Sequence, residues 1–300
     1  MTTAETSASD NLRGAGWMTL AMAGYVVNDA LIKRAAEELP LFESIFLRGL
    51  FVTAILLVLN IRAGTLRGAT RHLESSMLVR FGTEVLGTIF FLSALTRIDI
   101  APLTAVLQVV PLAVTLAAAL LLGEVVGWRR YVSIGIGFIG VLVVVRPGSE
   151  SFNVWYVVGL LAVAMVVIRE LATRRVKASA PSLVISLGTS VSITVMGAVV
   201  SIFEGWQTPT VEAWGFLALA AIFLSLGYTA SIITIRTGDV SFTAPFRYTV
   251  LIFAIVLQIV VFGDVPDAAT FVGAVIIASA GLYTFARERY LANFEVLTLK

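Results

Sequence analysis

The 300-residue sequence has no cysteine and a single histidine, His72. The first absence excludes disulfides, thiolate metal sites and thiol nucleophiles, and the second excludes a histidine-built metal centre. Charge is scarce as well. Asp, Glu, Lys and Arg make up 13% of the chain while hydrophobic residues make up 58%. A soluble domain carries about 25% charged residues, so this chain has too few to cover a water-facing surface. A net charge of only +2 does not suggest a nucleic-acid partner. The opening MTTAETSASDNLRGAG lacks the basic start and cleavage site of a removable leader, so the first apolar segment is expected to remain as a helix.

Long apolar runs are abundant. Residues 99–124, DIAPLTAVLQVVPLAVTLAAALLLGE, form one such run. At ~1.5 Å per residue, ~20 helical residues cover a ~30 Å hydrocarbon layer. Residues 239–264 echo it: Asp99 matches Asp239, Gly123 matches Gly263 and Glu124 matches Asp264, each 140 positions on. Asp29 matches Glu170, Lys33 matches Arg174 and Pro40 matches Pro181, each at 141. One spacing held over most of the chain indicates an internal duplication.

Ten apolar segments follow, near 14–32, 41–60, 75–95, 100–122, 129–146, 153–172, 183–203, 212–234, 242–262 and 269–286. The expected fold is an all-α membrane protein of ten transmembrane helices. Residues 1–148 form the first five-helix repeat and residues 149–300 the second. Five is odd, so the second repeat enters the bilayer inverted. That is a design of secondary transporters, which hold substrate near mid-membrane between the repeats. Arg13, Arg62, Arg67, Arg71, Arg129, Arg130, Arg174, Arg175, Lys177, Arg236, Arg287, Arg289 and Lys300 fall on one side, against Lys33, Arg34, Arg97 and Arg146 on the other. The positive-inside rule then places both termini in the cytoplasm.

Residues 77–148 contain FGTEVLGTIFFLSAL and TRIDIAPLTAVLQVVPLAVTLAAALLLGEVVGWRRYVSIGIGFIGVLVVVRPG. Ala94-Leu95, Pro111, Gly123-Glu124, Trp128-Arg129-Arg130, Gly135 to Gly140 and Arg146-Pro147-Gly148 are similar to the drug/metabolite transporter superfamily, in its EamA-like branch. The stretch from Asn28 to Lys33, and Glu43 with Arg48, resemble the same branch. The second repeat departs more, with Asp264 in place of Glu124 and Leu251 in place of Pro111. The resemblance implies a ten-helix transporter in the inner membrane of a bacterium; the sequence offers no cofactor motif, and no bound cofactor or metal is expected. Similar members export amino acids and related metabolites; others take up S-adenosylmethionine, or move riboflavin or sugars.

Charges inside a bilayer are costly unless paired or hydrated, which makes each a functional candidate. Asp29, Glu43 and Arg48 fall toward one face, and Arg80, Arg169, Glu170 and Arg247 toward the other. The expectation is two polar gates that open alternately, or fixed ion pairs. Glu84 stands alone at mid-helix, suited to a proton or a substrate ammonium, or else to a protonated carboxyl hydrogen-bonded to a neighbouring helix. Gln108 and Tyr248 are equivalent by the 140 spacing and are expected at a shared cavity with Tyr25, Asn28 and Tyr228. Pro102, Pro111 and Pro245 are hinge candidates or static kinks. Trp17, Trp155 and Trp214 read as interface anchors.

Three patterns are set aside. Gly135, Gly137 and Gly140 spell GxGxxG, but a dinucleotide site needs a preceding strand, and here small residues permit helix packing. Gly123-Glu124 and Gly263-Asp264 read as helix ends, and Arg174-Arg175-Lys177 as a topology signal. The leading function is export of amino acids by alternating access in a lipid bilayer. Uptake of S-adenosylmethionine or another metabolite is the alternative, and a passive channel a further one. A monomer and a homodimer both remain open, since the glycines of the fifth segment suit either internal packing or a dimer contact.

Overall fold

The computed structural model describes residues 8–67, 74–124, 126–150, 152–175, 181–237 and 240–298. Every regular element among them is helical: α1 (Ala8–Glu38), α2 (Leu41–Ala63), α3 (Ser75–Leu95), α4 (Ile100–Leu107), α5 (Val110–Leu122), α6 (Trp128–Val145), α7 (Trp155–Arg174), α8 (Ser182–Glu204), α9 (Val211–Thr237), α10 (Val240–Thr243), α11 (Thr249–Phe262) and α12 (Ala268–Thr298), with a 3-10 turn at Ala244–Tyr248. Among the described residues, nine stretches are long and apolar enough to cross a membrane, with α4–α5 counted as one and the 3-10 turn with α11 as another. Helix α1 spans 31 residues but carries Asn28, Asp29, Lys33 and Arg34, and stands outside that nine.

Helix ends follow local chemistry. Gly123 ends α5 at φ 69° and Gly263 ends α11 at φ 75°, both in the left-handed conformation that glycine adopts without a Cβ penalty. Two spans are broken at positions 140 apart. Gln108 closes α4, and Tyr248 immediately precedes α11. Pro111 and Pro245 sit in the first turns after each break begins, where a missing N–H removes no interior bond. Pro102 lies in the first turn of α4 and interrupts nothing.

The main helix pairs are α1 with α9, α2 with α8, α3 with α7, and α6 with α12, while α4 meets α11. Each joins a helix before residue 146 to one after residue 154. Exchanging α1 with α7, α2 with α8, α3 with α9, α4 with α11 and α6 with α12 maps this set of pairs onto itself. Small residues make the crossings close. A Cβ on Gly24 would lie 2.8 Å from the Phe223 carbonyl oxygen, and one on Gly273 would lie 2.7 Å from the Gly140 oxygen. Without a hydrophobic drive between helices in lipid, such contact supplies the association. Of the glycines in α6, Gly137 and Gly140 pack internally against Leu112, Ile277 and Gly273, while Gly135 faces open space.

One face is tightly tied. We call it the Pro40 face, and the opposite one the Gly64 face. Lys33 Nζ donates to the Ile98 carbonyl at 2.6 Å, and Arg34 donates to the Val261 carbonyl. Both cations stand over the Phe262 ring, at 5.3 and 4.8 Å. The Thr210 hydroxyl donates to Glu38 at 2.7 Å, and the Phe42 amide to Glu204 at 3.0 Å. Arg146 pairs with Asp267. Deeper in, the Gln258 side chain accepts the Ala101 amide at 3.0 Å, capping α4 from α11. Burial follows the same asymmetry: from Ser75 to Leu86, α3 buries only Met77, then Gly87, Leu92, Ala94 and Leu95 toward the Pro40 face.

The Gly24 crossing is therefore expected to be intolerant. Gly24→Ala should lower stability by about 1–3 kcal/mol through overpacking. Gly135→Ala, which fills open space, should leave it unchanged or slightly raised. Thermal unfolding of the purified variants in detergent, read side by side, checks the contrast.

Candidate functional site

A lane of polar side chains is built from α1, α2, α3, α7, α8 and α9. Nearest the Gly64 face is a charged cluster. One terminal nitrogen of Arg169 donates to both oxygens of Glu84, at 3.1 and 3.0 Å, and the other donates to Glu170 at 2.6 Å. These side chains stay partly open: Glu84 is 14% exposed, Arg169 22% and Glu170 35%. Arg80 donates to the Thr189 hydroxyl at 2.7 Å, and its buried Nε has no acceptor.

Further in lie the tyrosines. Tyr25 and Tyr228 meet edge to face with ring centroids 5.9 Å apart, and Tyr25 shares a 2.9 Å hydrogen bond with Ser231. Tyr25 fits against Gly227, where a Cβ would come within 2.7 Å of its ring. Beyond them, Arg48 donates to Asn28 Oδ1 at 3.0 Å, and Asn28 donates to Asp29 at 2.9 Å. Arg48 is buried at 5% exposure and its Nε has no acceptor. A neutral amide thus stands between this guanidinium and the nearest carboxylate. Arg48 and Arg80 both lie within electrostatic reach of Tyr228.

Spacing relates the two ends of this lane. Asn28 and Arg169 are 141 positions apart, as are Asp29 and Glu170. Each donor bonds the carboxylate that follows it in the chain. Arg48, Arg80 and Arg169 balance Asp29, Glu84 and Glu170 in formal charge. The arrangement offers a guanidinium with spare donors at one end and carboxylates at the other, with aromatic rings between.

Several expectations change. Glu84 is not alone, because Arg169 reaches it from α7. Glu43 and Arg48 do not form one network: Glu43 is fully buried and accepts the Gln207 amide at 3.0 Å in the α8–α9 connection. Tyr248 turns away from the shared lane. It packs on α12, where a Cβ on Gly281 would lie 1.7 Å from its hydroxyl, and meets Phe285 edge on. It lines an apolar cavity of about 470 Å³ between α11 and α12, with Pro245 and the outward-facing Ile252 and Val275. Gln108 is half-buried at the α4 break, and Arg247 is exposed in the 3-10 turn. A larger depression of about 640 Å³, lined by Arg97, Glu150 and Trp155 among others, lies in the α6–α7 connection, away from the charged lane.

Sequence reading overlooked Thr189, Ser231 and Gln258. It also overlooked a hydroxyl cluster in which Thr53 bonds Ser190 at 2.8 Å and Thr194 at 3.2 Å. Nothing in a single hydroxyl residue marks it as a partner. Ser225 carries a signal, since it stands 141 positions after Glu84 and is buried without a hydrogen bond.

Comparison with known proteins agrees with this architecture. The model of the EamA-like transporter family matches twice, at residues 12–146 and 153–286. An S-adenosylmethionine uptake transporter of Rickettsia bellii is 27% identical, covering 92% of this chain and 94% of its own. A pseudopaline exporter, CntI, of Pseudomonas aeruginosa is 28% identical over 87% of this chain and 92% of its own. A riboflavin transporter of Brucella anthropi is 26% identical over 79% and 86%. A crystal structure 19% identical in sequence superposes with a TM-score of 0.66, covering 91% of this chain and 95% of that one, and shares the fold. With both halves matched by one family model, the chain belongs to the EamA-like transporter family and is a multi-pass membrane protein.

Proposed function

We propose that the chain is an alternating-access carrier for a small metabolite bearing both a carboxylate and a cationic group. The observation that carries this reading is the placement of Arg48, with an unused buried donor, opposite the Glu84–Glu170 carboxylates. Arg48 receives the cargo carboxylate and Glu84 its cation. Tyr25 and Tyr228 flank the body of the cargo, which suits one that carries a ring. S-adenosylmethionine has all of these groups, and relatives named for its uptake align along nearly the whole chain. Export of free amino acids is the second reading, favoured because an amino acid satisfies the same two charged ends.

In this reading α1 supplies a tenth span, and two inverted five-helix repeats meet near residue 148. The basic Gly64 face and both termini lie in the cytoplasm of a bacterium, across its inner membrane. The ties at the Pro40 face then close the outer mouth, and the partly open Arg169 cluster is reached from inside. Direction follows the cargo gradient. Asp29, Arg80 and Arg247 join the gates, and the breaks at Gln108 and Tyr248, beside Pro111 and Pro245, give the hinges at which spans bend.

Counterflow in proteoliposomes tests this. Vesicles are loaded with unlabelled S-adenosylmethionine, or with mixed amino acids, and receive the labelled compound outside in trace amount. Accumulation of S-adenosylmethionine is the expected outcome. Accumulation of amino acids alone moves the assignment to the second reading, and no accumulation of either by folded protein removes the carrier assignment. Arg48→Gln should raise the half-saturation concentration by about 10–100-fold, the worth of one hydrogen bond to a charged group. An unchanged value in transport kinetics removes Arg48 from the cargo site.

A further inference from the structure

Arg169 is held by two carboxylates that are not equivalent. Glu170 is its chain neighbour and bonds one terminal nitrogen at 2.6 Å. Glu84 comes from another helix, α3, and both its oxygens face the other nitrogen. If that second contact opens, Arg169 keeps Glu170. Glu84 has no second hydrogen-bonded cation: among the described residues its hydrogen bonds come from Arg169, while Arg80, one turn before it on α3 and within electrostatic reach, gives its hydrogen bond to Thr189. The cluster is also the partly open end of the lane, so an incoming cation meets it.

We infer that Arg169 is an internal stand-in for the cargo's cationic group. In the empty carrier it neutralises Glu84, and an arriving ammonium or sulfonium displaces it onto Glu170. This rests on the carrier reading above. Two consequences follow from the charge balance. First, Arg169 competes with cargo for Glu84 and weakens apparent binding. Second, it lets the empty carrier reorient. A buried carboxylate without a counter-ion is costly in a closed, low-dielectric interior. With Arg169 in place, Glu84 passes through the closed state neutralised whether cargo is present or absent. The protein then supports net flux as well as exchange.

The test uses the full chain in proteoliposomes with labelled S-adenosylmethionine and, separately, labelled methionine. Counterflow and net efflux into empty medium are both measured. For Arg169→Gln the expected result is counterflow with a half-saturation concentration about tenfold lower, which corresponds to loss of one competing ion pair. Net efflux is expected to fall far below that of the unsubstituted protein. Loss of counterflow and efflux in equal measure, or retained efflux, overturns the role while leaving the carrier reading intact. If Arg169→Gln does not fold, Arg169→Lys replaces it. A single ammonium cannot serve both carboxylates through a planar fork, so half-saturation should fall while net efflux persists. An unchanged or raised value overturns the inference. Unsubstituted protein that shows no counterflow of either probe removes the carrier reading and this inference with it.

Discussion

Close backbone contact between helices from opposite halves of the chain is the constraint on which the rest depends. In lipid, apolar side chains gain little by leaving their surroundings for one another, so helices hold together by contact at short range and by polar bonds. Gly24 at the α1–α9 crossing and the Gly140–Gly273 contact between α6 and α12 permit that range. The α1–α9 crossing brings Tyr25 to Tyr228 and Ser231. The α3–α7 crossing brings Glu84 to Arg169. The lane of polar groups is thus a by-product of where the small residues let the helices touch.

That lane carries a repeated local device with changed charge. In α7 an arginine bonds the glutamate that follows it; in α1 an asparagine bonds the aspartate that follows it. The pairing is the same at both positions, and the charge differs by one cation. Arg169, in the pair that carries the cation, meets an additional carboxylate, Glu84, while Asn28, in the pair without one, meets an additional guanidinium, Arg48. Ser225, at the position equivalent to Glu84 by the 141 spacing, likewise lacks the charge of its counterpart. Unequal ends are what the proposed dipolar cargo requires.

Much of this architecture was legible in the sequence because its signals are local or periodic. Apolar runs mark the spans, Gly123 and Gly263 mark the ends of two of them, and the 140–141 spacing survives wherever both halves kept a charge. Helix α1 is harder to read, since Asn28, Asp29, Lys33 and Arg34 lower its apolar character, and the α9 surface and the Ile98 and Val261 carbonyls accommodate it. Partnerships were not legible. Glu84 and Arg169 are 85 positions apart, and no pattern in either helix announces the other. Tyr248 shares a repeat position with Gln108, but whether a ring faces the lane or α12 depends on Gly281, which has no mark of its own. Gln258 looks like a stray amide until α4 presents an uncapped N–H.

The interlocked pairing has a consequence for biogenesis. When the ribosome has released only the residues up to the end of α6, α1, α2, α3 and α6 have each been made without the helix that covers them most extensively. Their glycine notches and the side chains of Arg48 and Glu84 then face lipid or the insertion machinery rather than protein. The first half must be held in an unfinished state until the second threads in beside it. The time taken to translate α7 to α12 therefore sets a minimum lifetime for that unfinished state.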